Sequence, residues 1–127
     1  MDQALQRPPR ILVADDDAAI VDAVQLILED SGYAVLTAAD GAVAASVARE
    51  KPDLLLLDIR MAGASGQAIC RELKANESTR HIPVIMFSAN RDLAAIAAEA
   101  GADDVLGKPF ELSDLLDVVA KHLPPWS

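Results

Sequence analysis

Short apolar runs alternate along the chain with stretches whose apolar residues recur every three to four positions. Residues 11–14 are uninterruptedly apolar and stop at Asp15-Asp16-Asp17. Ile20, Val24, Ile27 and Leu28 then repeat at helical spacing and end near Ser31-Gly32. Residues 34–37 read as a second short strand, and the Ala-rich residues 41–50 as a helix that Lys51-Pro52 stops. Four consecutive leucines, residues 54–57, run into Asp58. A run without alternation predicts a strand buried on both faces. Residues 63–66 read as loop, and residues 67–75 as a helix with Ile69 and Leu73 on one face. A fourth strand over 83–87 ends at Ser88, a helix over 93–100 is closed by Gly101, and a fifth strand over 104–106 precedes Gly107-Lys108-Pro109. Leu112, Leu115, Leu116, Val119 and Leu123 mark the last helix, which Pro124-Pro125 ends. Five strands and five helices in strict alternation predict an α/β fold. Its sheet is single and parallel, with right-handed crossovers and helices on both faces.

Composition supports that reading and narrows the function. The 127 residues suit one domain, and a 52 % hydrophobic share can fill a core without staples. Aromatics make up only 3 %, so the core is aliphatic. A net charge of −9 argues against direct nucleic-acid binding. Cys70 is the single cysteine, so no internal disulfide forms, which fits a reducing compartment. It reads as a structural or surface thiol. Residues 1–10 hold no apolar stretch, and no run nears 18 apolar residues. Neither a secretory signal nor a membrane helix is expected, and the expected location is cytoplasmic. Residues 1–9 read as a leader, 10–123 as the domain, and 124–127 as a tail or the start of a linker.

The chemistry lies at the strand ends. Ligands of open α/β sheets bind outside the carboxyl ends of the strands. There the chain places Asp15 and Asp16 after the first strand, Asp58 after the third, Ser88 after the fourth and Lys108 after the fifth. Three clustered carboxylates repel one another unless a cation relieves them. Magnesium suits such an oxygen-only donor set and keeps several waters. Asp58, on the central strand, is the best nucleophile for a phosphoryl group, with Lys108 and Ser88 placed to meet its oxygens. Asp15-Asp16-Asp17 also reads as a helix N-cap, a role that suits Asp17.

These residues, with Gly66, Phe87-Ser88-Ala89, Gly101-Ala102-Asp103-Asp104 and Lys108-Pro109-Phe110, resemble the receiver domain of two-component response regulators. The resemblance spans residues 11–110. It implies a flavodoxin-like (βα)5 three-layer sandwich with strand order 2-1-3-4-5. It implies Asp58 as phosphoacceptor, Asp15 and Asp16 as ligands of Mg2+ (or Mn2+), and Arg60 as the residue whose backbone carbonyl completes the metal shell. Ser88 becomes the switch hydroxyl, Lys108 the phosphoryl-pairing lysine, and the Lys108–Pro109 peptide is cis. The implied partners are a sensor histidine kinase or histidine phosphotransfer protein and a downstream protein or output domain. The implied protein is not a turnover enzyme; it catalyses only its own phosphorylation and dephosphorylation.

The chain departs from the family pattern in three places. Ala62 stands where the family usually has Pro, which predicts a less rigid loop. Val105 stands where the family has a switching Tyr or Phe. The segment from Ser88 to Gly101 is about two residues short. The last two features motivate an alternative, a receiver-fold interaction module that works without phosphorylation. A small phosphatase with an aspartyl-phosphate intermediate is a more remote alternative, because there the nucleophile follows the first strand. His81 and His122 have no phosphotransfer context and read as surface residues, as does the Arg60 side chain. The Ala-rich stretch at 94–98 reads as ordinary helix packing.

Overall fold

The computed structural model describes residues 7–38, 42–61 and 63–123. Ala62, the start of the second predicted helix, and residues 1–6 and 124–127 of the leader and tail lie outside them.

The predicted alternation is present. The strands of the main sheet are β1 (Arg10–Ala14), β2 (Ala34–Ala38), β3 (Leu54–Asp58), β6 (Val84–Ser88) and β7 (Asp104–Gly107). The helices are α1 (Ala18–Asp30), α2 (Val43–Glu50), α3 (Gly66–Ala75), α4 (Leu93–Ala100) and α5 (Leu112–His122). All main-sheet pairings are parallel, in the order β2-β1-β3-β6-β7, the 2-1-3-4-5 order of the five sheet strands.

The leucine run shows why the sheet is a middle layer. Successive side chains of a strand point to opposite faces. Leu55 and Leu57 pack with Val43 and Val47 of α2, Ile69 and Leu73 of α3, and Leu93 and Ala97 of α4. Leu54 and Leu56 pack with Val24 and Leu28 of α1 and Leu115 and Val119 of α5. All four leucines have no exposed surface. Each such side chain contributes about 1.5–3 kcal/mol when taken from water into the core.

Several details differ from the sequence reading. Asp58 and Ser88 are the last residues of β3 and β6 rather than the first residues beyond them. The predicted loop at 63–66 holds the second strand of a small antiparallel hairpin, β4 (Arg60–Met61) with β5 (Ala64–Ser65), and the first residue of α3. Two-residue strands carry no period that a sequence can display. Nor is His122 a free surface residue: it is half-buried, and its Nε2 lies 2.8 Å from Asp104 Oδ2. The last turn of α5 lies over the start of β7, a contact that helical periodicity does not specify. At the amino end, Pro9 is buried and its carbonyl accepts the Ala34 N–H, while Arg7 pairs with Asp53. Cys70 is fully buried, and burial pushes its thiol up to about 11, so it stays a protonated packing group. Among the described residues no helix is long and apolar enough to cross a membrane.

Candidate functional site

The tripeptide Asp15-Asp16-Asp17 divides three tasks among three identical side chains. Asp17 is the N-cap of α1, with extended backbone, and its carboxylate accepts the N–H groups of Ala19 and Ile20. That satisfies donors the first helical turn leaves free. Asp15 is almost wholly buried; its Oδ1 accepts the Asp17 N–H at 3.0 Å and its Oδ2 receives Lys108. Asp16 is exposed. A cavity of about 360 Å³ opens beside the pair, between β2 and α1, with Asp22 and Thr37 on its wall.

Asp58 arrives from the neighbouring strand, β3 being hydrogen-bonded to β1 with Ala14 opposite Leu57. Carboxylate oxygens of Asp15, Asp16 and Asp58 all lie within 4.8 Å of one another. Lys108 enters from the end of β7: its Nζ is 2.6 Å from Asp15 Oδ2 and 3.4 Å from Asp58 Oδ2. The Lys108–Pro109 peptide that follows is cis. Burial and the repulsion of Asp15 push the Asp58 carboxyl above the usual carboxylate range, although Lys108 pulls the other way. Three acids against one lysine leave an excess of negative charge. The donors are all oxygen, which suits a hard divalent cation that keeps part of its water.

The remaining predicted residues sit around this centre. Arg60 opens β4, two residues beyond Asp58, with its side chain exposed. Ser88 closes β6, and its Oγ accepts the Asn90 N–H at 3.2 Å, so the hydroxyl is engaged in a local turn. Val105 is half-buried in β7, opposite Met86. His81 is exposed and far in chain order from the acidic groups.

Two residues hold the site without having been assigned a role in it. Gly66 begins α3 with its N–H bonded to the Ile59 carbonyl at 2.6 Å, and a Cβ there would stand 1.9 Å from the Asp58 carbonyl oxygen. Only glycine allows the helix to approach the Asp58 backbone so closely. The sequence carried a hint in the lone Gly just before an amphipathic stretch. The second is Phe87, whose ring lies under the Lys108 ammonium, 4.6 Å from centroid to Nζ. No spacing rule connects positions 87 and 108.

The family model described as "Response regulator receiver domain" matches residues 11–120. The chain belongs to this family. Receiver domains are the phosphorylation-dependent switches of two-component signalling, and the phosphatase reading is thereby set aside. Over 111 residues, 85 % of the chain, this receiver domain is 40 % identical to "DNA-binding dual master transcriptional regulator RpaA" of Synechocystis, of which the match covers 46 %. The chain thus spans about half the length of the first curated relatives it matches. A solved response regulator from Chloroflexus aurantiacus J-10-fl superposes with a TM-score of 0.85 at 33 % identity, covering 91 % of this chain and 97 % of that one. The receiver domain of sensor histidine kinase PA1611 from Pseudomonas aeruginosa superposes at 0.84 with 30 % identity, over 91 % of this chain and 97 % of that one. That structure has a magnesium ion coordinated in its active site cleft.

Proposed function

We propose that this receiver domain accepts a phosphoryl group on Asp58 from a histidine kinase or a histidine phosphotransfer protein, and that the acyl phosphate changes its affinity for an output partner. The observation that carries the reading is the meeting of Asp15, Asp16 and Asp58 around one point, with Lys108 bridging two of them. An Asp58 oxygen forms the new P–O bond as the P–N bond to the donor imidazole breaks, its electron pair returning to the ring nitrogen. Lys108 then leaves its carboxylates to pair with a phosphoryl oxygen, and Ser88 gives up its turn contact to meet another.

The Asp15 and Asp16 carboxylates, one Asp58 oxygen and the Arg60 carbonyl would hold Mg2+, and Mn2+ takes the same donors. When bound, the ion offsets the charge of the site and of the incoming phosphoryl group. Catalysis is confined to the domain's own phosphorylation and dephosphorylation. The acidic balance of the chain supports protein partners rather than direct nucleic-acid contact, and a cytoplasmic location follows from a kinase donor.

An amide NMR comparison with Mg2+, with and without beryllofluoride, tests this reading. Mg2+ should move the amides of residues 15, 16 and 58. Beryllofluoride should then move those of residues 88 and 108 as well. Spectra unchanged by beryllofluoride would contradict phosphoryl acceptance.

A further inference from the structure

We propose that Phe87 is a positioning residue for Lys108: its ring face seats the ammonium over the carboxylate cleft in the direction a phosphoryl oxygen must occupy. The proposal rests on the phosphoryl reading of Asp58 given above.

Phe87 is completely buried and stands directly opposite Asp58 in the β3–β6 ladder. Along β6, Ile85 and Phe87 face the layer of α1 and α5, the same layer that takes Leu54 and Leu56 of β3. Two residues beyond Leu56, Asp58 projects from the same face by strand alternation. Ring and carboxylate are therefore side by side at the top of one face, and the Lys108 ammonium lies over the ring while it pairs with Asp58 and Asp15. The chain has two phenylalanines, and among the described residues Phe87 is the one fully buried aromatic, with Tyr33 and Phe110 packed half-buried against the same layer. Leucine or methionine would fill that volume as they do its neighbours. What an aliphatic side chain does not supply is a negative ring face for a cation 4.6 Å away.

The lysine needs such a seat because its other partners are shared. Asp15 and Asp58 hold its ammonium, yet both belong to the donor set a divalent cation would use. Carboxylates turned toward a cation attract the ammonium less. The neutral ring is no ligand for a divalent cation, so this seat is not shared with one. It keeps a flexible four-carbon stem pointed across the cleft when the carboxylates are occupied. Phe87 touches neither phosphoryl group nor metal; it acts through Lys108.

The test replaces Phe87 by 4-fluoro-, 3,5-difluoro- and 3,4,5-trifluorophenylalanine, incorporated at that site alone, and by leucine. Fluorine drains the ring face at almost constant volume. Affinity for beryllofluoride in saturating Mg2+ should fall stepwise with fluorine count, and by roughly three- to tenfold for Phe87→Leu, the range a partly desolvated cation–ring contact spans. Affinity for Mg2+ should stay within about twofold, since a neutral ring is no ligand. In the wild type, the Lys108 δ and ε methylene protons should be shifted upfield by the ring, and Phe87→Leu should abolish the shift. A purely structural role predicts lower thermal stability for Phe87→Leu with a flat fluorine series, and that result overturns the proposal. A wild-type protein that ignores beryllofluoride overturns the phosphoryl reading and the positioning role together. Normal beryllofluoride binding with a flat series overturns the positioning role alone.

Discussion

At the scale of single residues, the site is a set of acids held close against their repulsion. Burial, then Asp15, raises the Asp58 carboxyl above its ordinary range, with Lys108 opposing. A carboxyl raised in the folded state adds stability below its unfolded value and loses it as pH climbs through the folded one. At neutral pH the charged Asp58 therefore works against folding in metal-free protein. Asp58→Asn should raise Tm in chelator by a few degrees, corresponding to about 1 kcal/mol for a domain of this size. A lower Tm in a calorimetric scan would show that the charge helps the fold. Gly66 carries the opposite expectation. A Cβ 1.9 Å from the Asp58 carbonyl oxygen must displace backbone, because that oxygen is not the end of a flexible side chain. Gly66→Ala should cost about 1–3 kcal/mol in urea unfolding, typical of overpacking against a fixed neighbour. It should also weaken Mg2+ binding by shifting Asp58. Unchanged stability would mean that α3 can retreat freely.

Whole elements explain what the sequence made legible. β1, β3 and β6 are buried on both faces, so their apolar runs are unbroken and their ends stand out as the first polar residues. The same burial makes Asp15, Asp58 and Lys108 legible as neighbours, since parallel strands align their carboxyl ends. The hairpin of β4 and β5 was not legible, because two residues per strand hold no period. Contacts between α5 and β7 were equally hidden: periodicity says which face of α5 is apolar but not that Lys121 and His122 reach Asp104. Burial alone would lift the Asp104 carboxyl; hydrogen bonds from His122, the Val105 N–H and Lys121 outweigh it and hold the group below the usual range. A lowered carboxyl contributes stability above its unfolded value, about 3.9, and loses it as pH falls through the folded one. Asp104→Asn should therefore lose less stability than the wild type when pH is lowered from about 5 through 3. Parallel acid limbs in a pH series of urea midpoints would remove the α5–β7 clasp from the account.

Across the molecule, the central β3 joins two hydrophobic layers and delivers Asp58 to the rim where they meet. Family membership and the match over residues 11–120 make the domain a switch, and its residues set how the switch is built. Val105 packs half-buried against the layer of α2, α3 and α4, so an aliphatic side chain lies at this point of β7. In the proposed function, everything downstream depends on the bond formed at Asp58. The decisive measurement is the transfer of label from acetyl phosphate in Mg2+, followed by intact mass. The wild type should gain a single phosphoryl group, gain none when chelator is present throughout loading, and Asp58→Asn should gain none while remaining folded. Asp58→Asn protein that takes up the label as the wild type does would contradict the account at its centre.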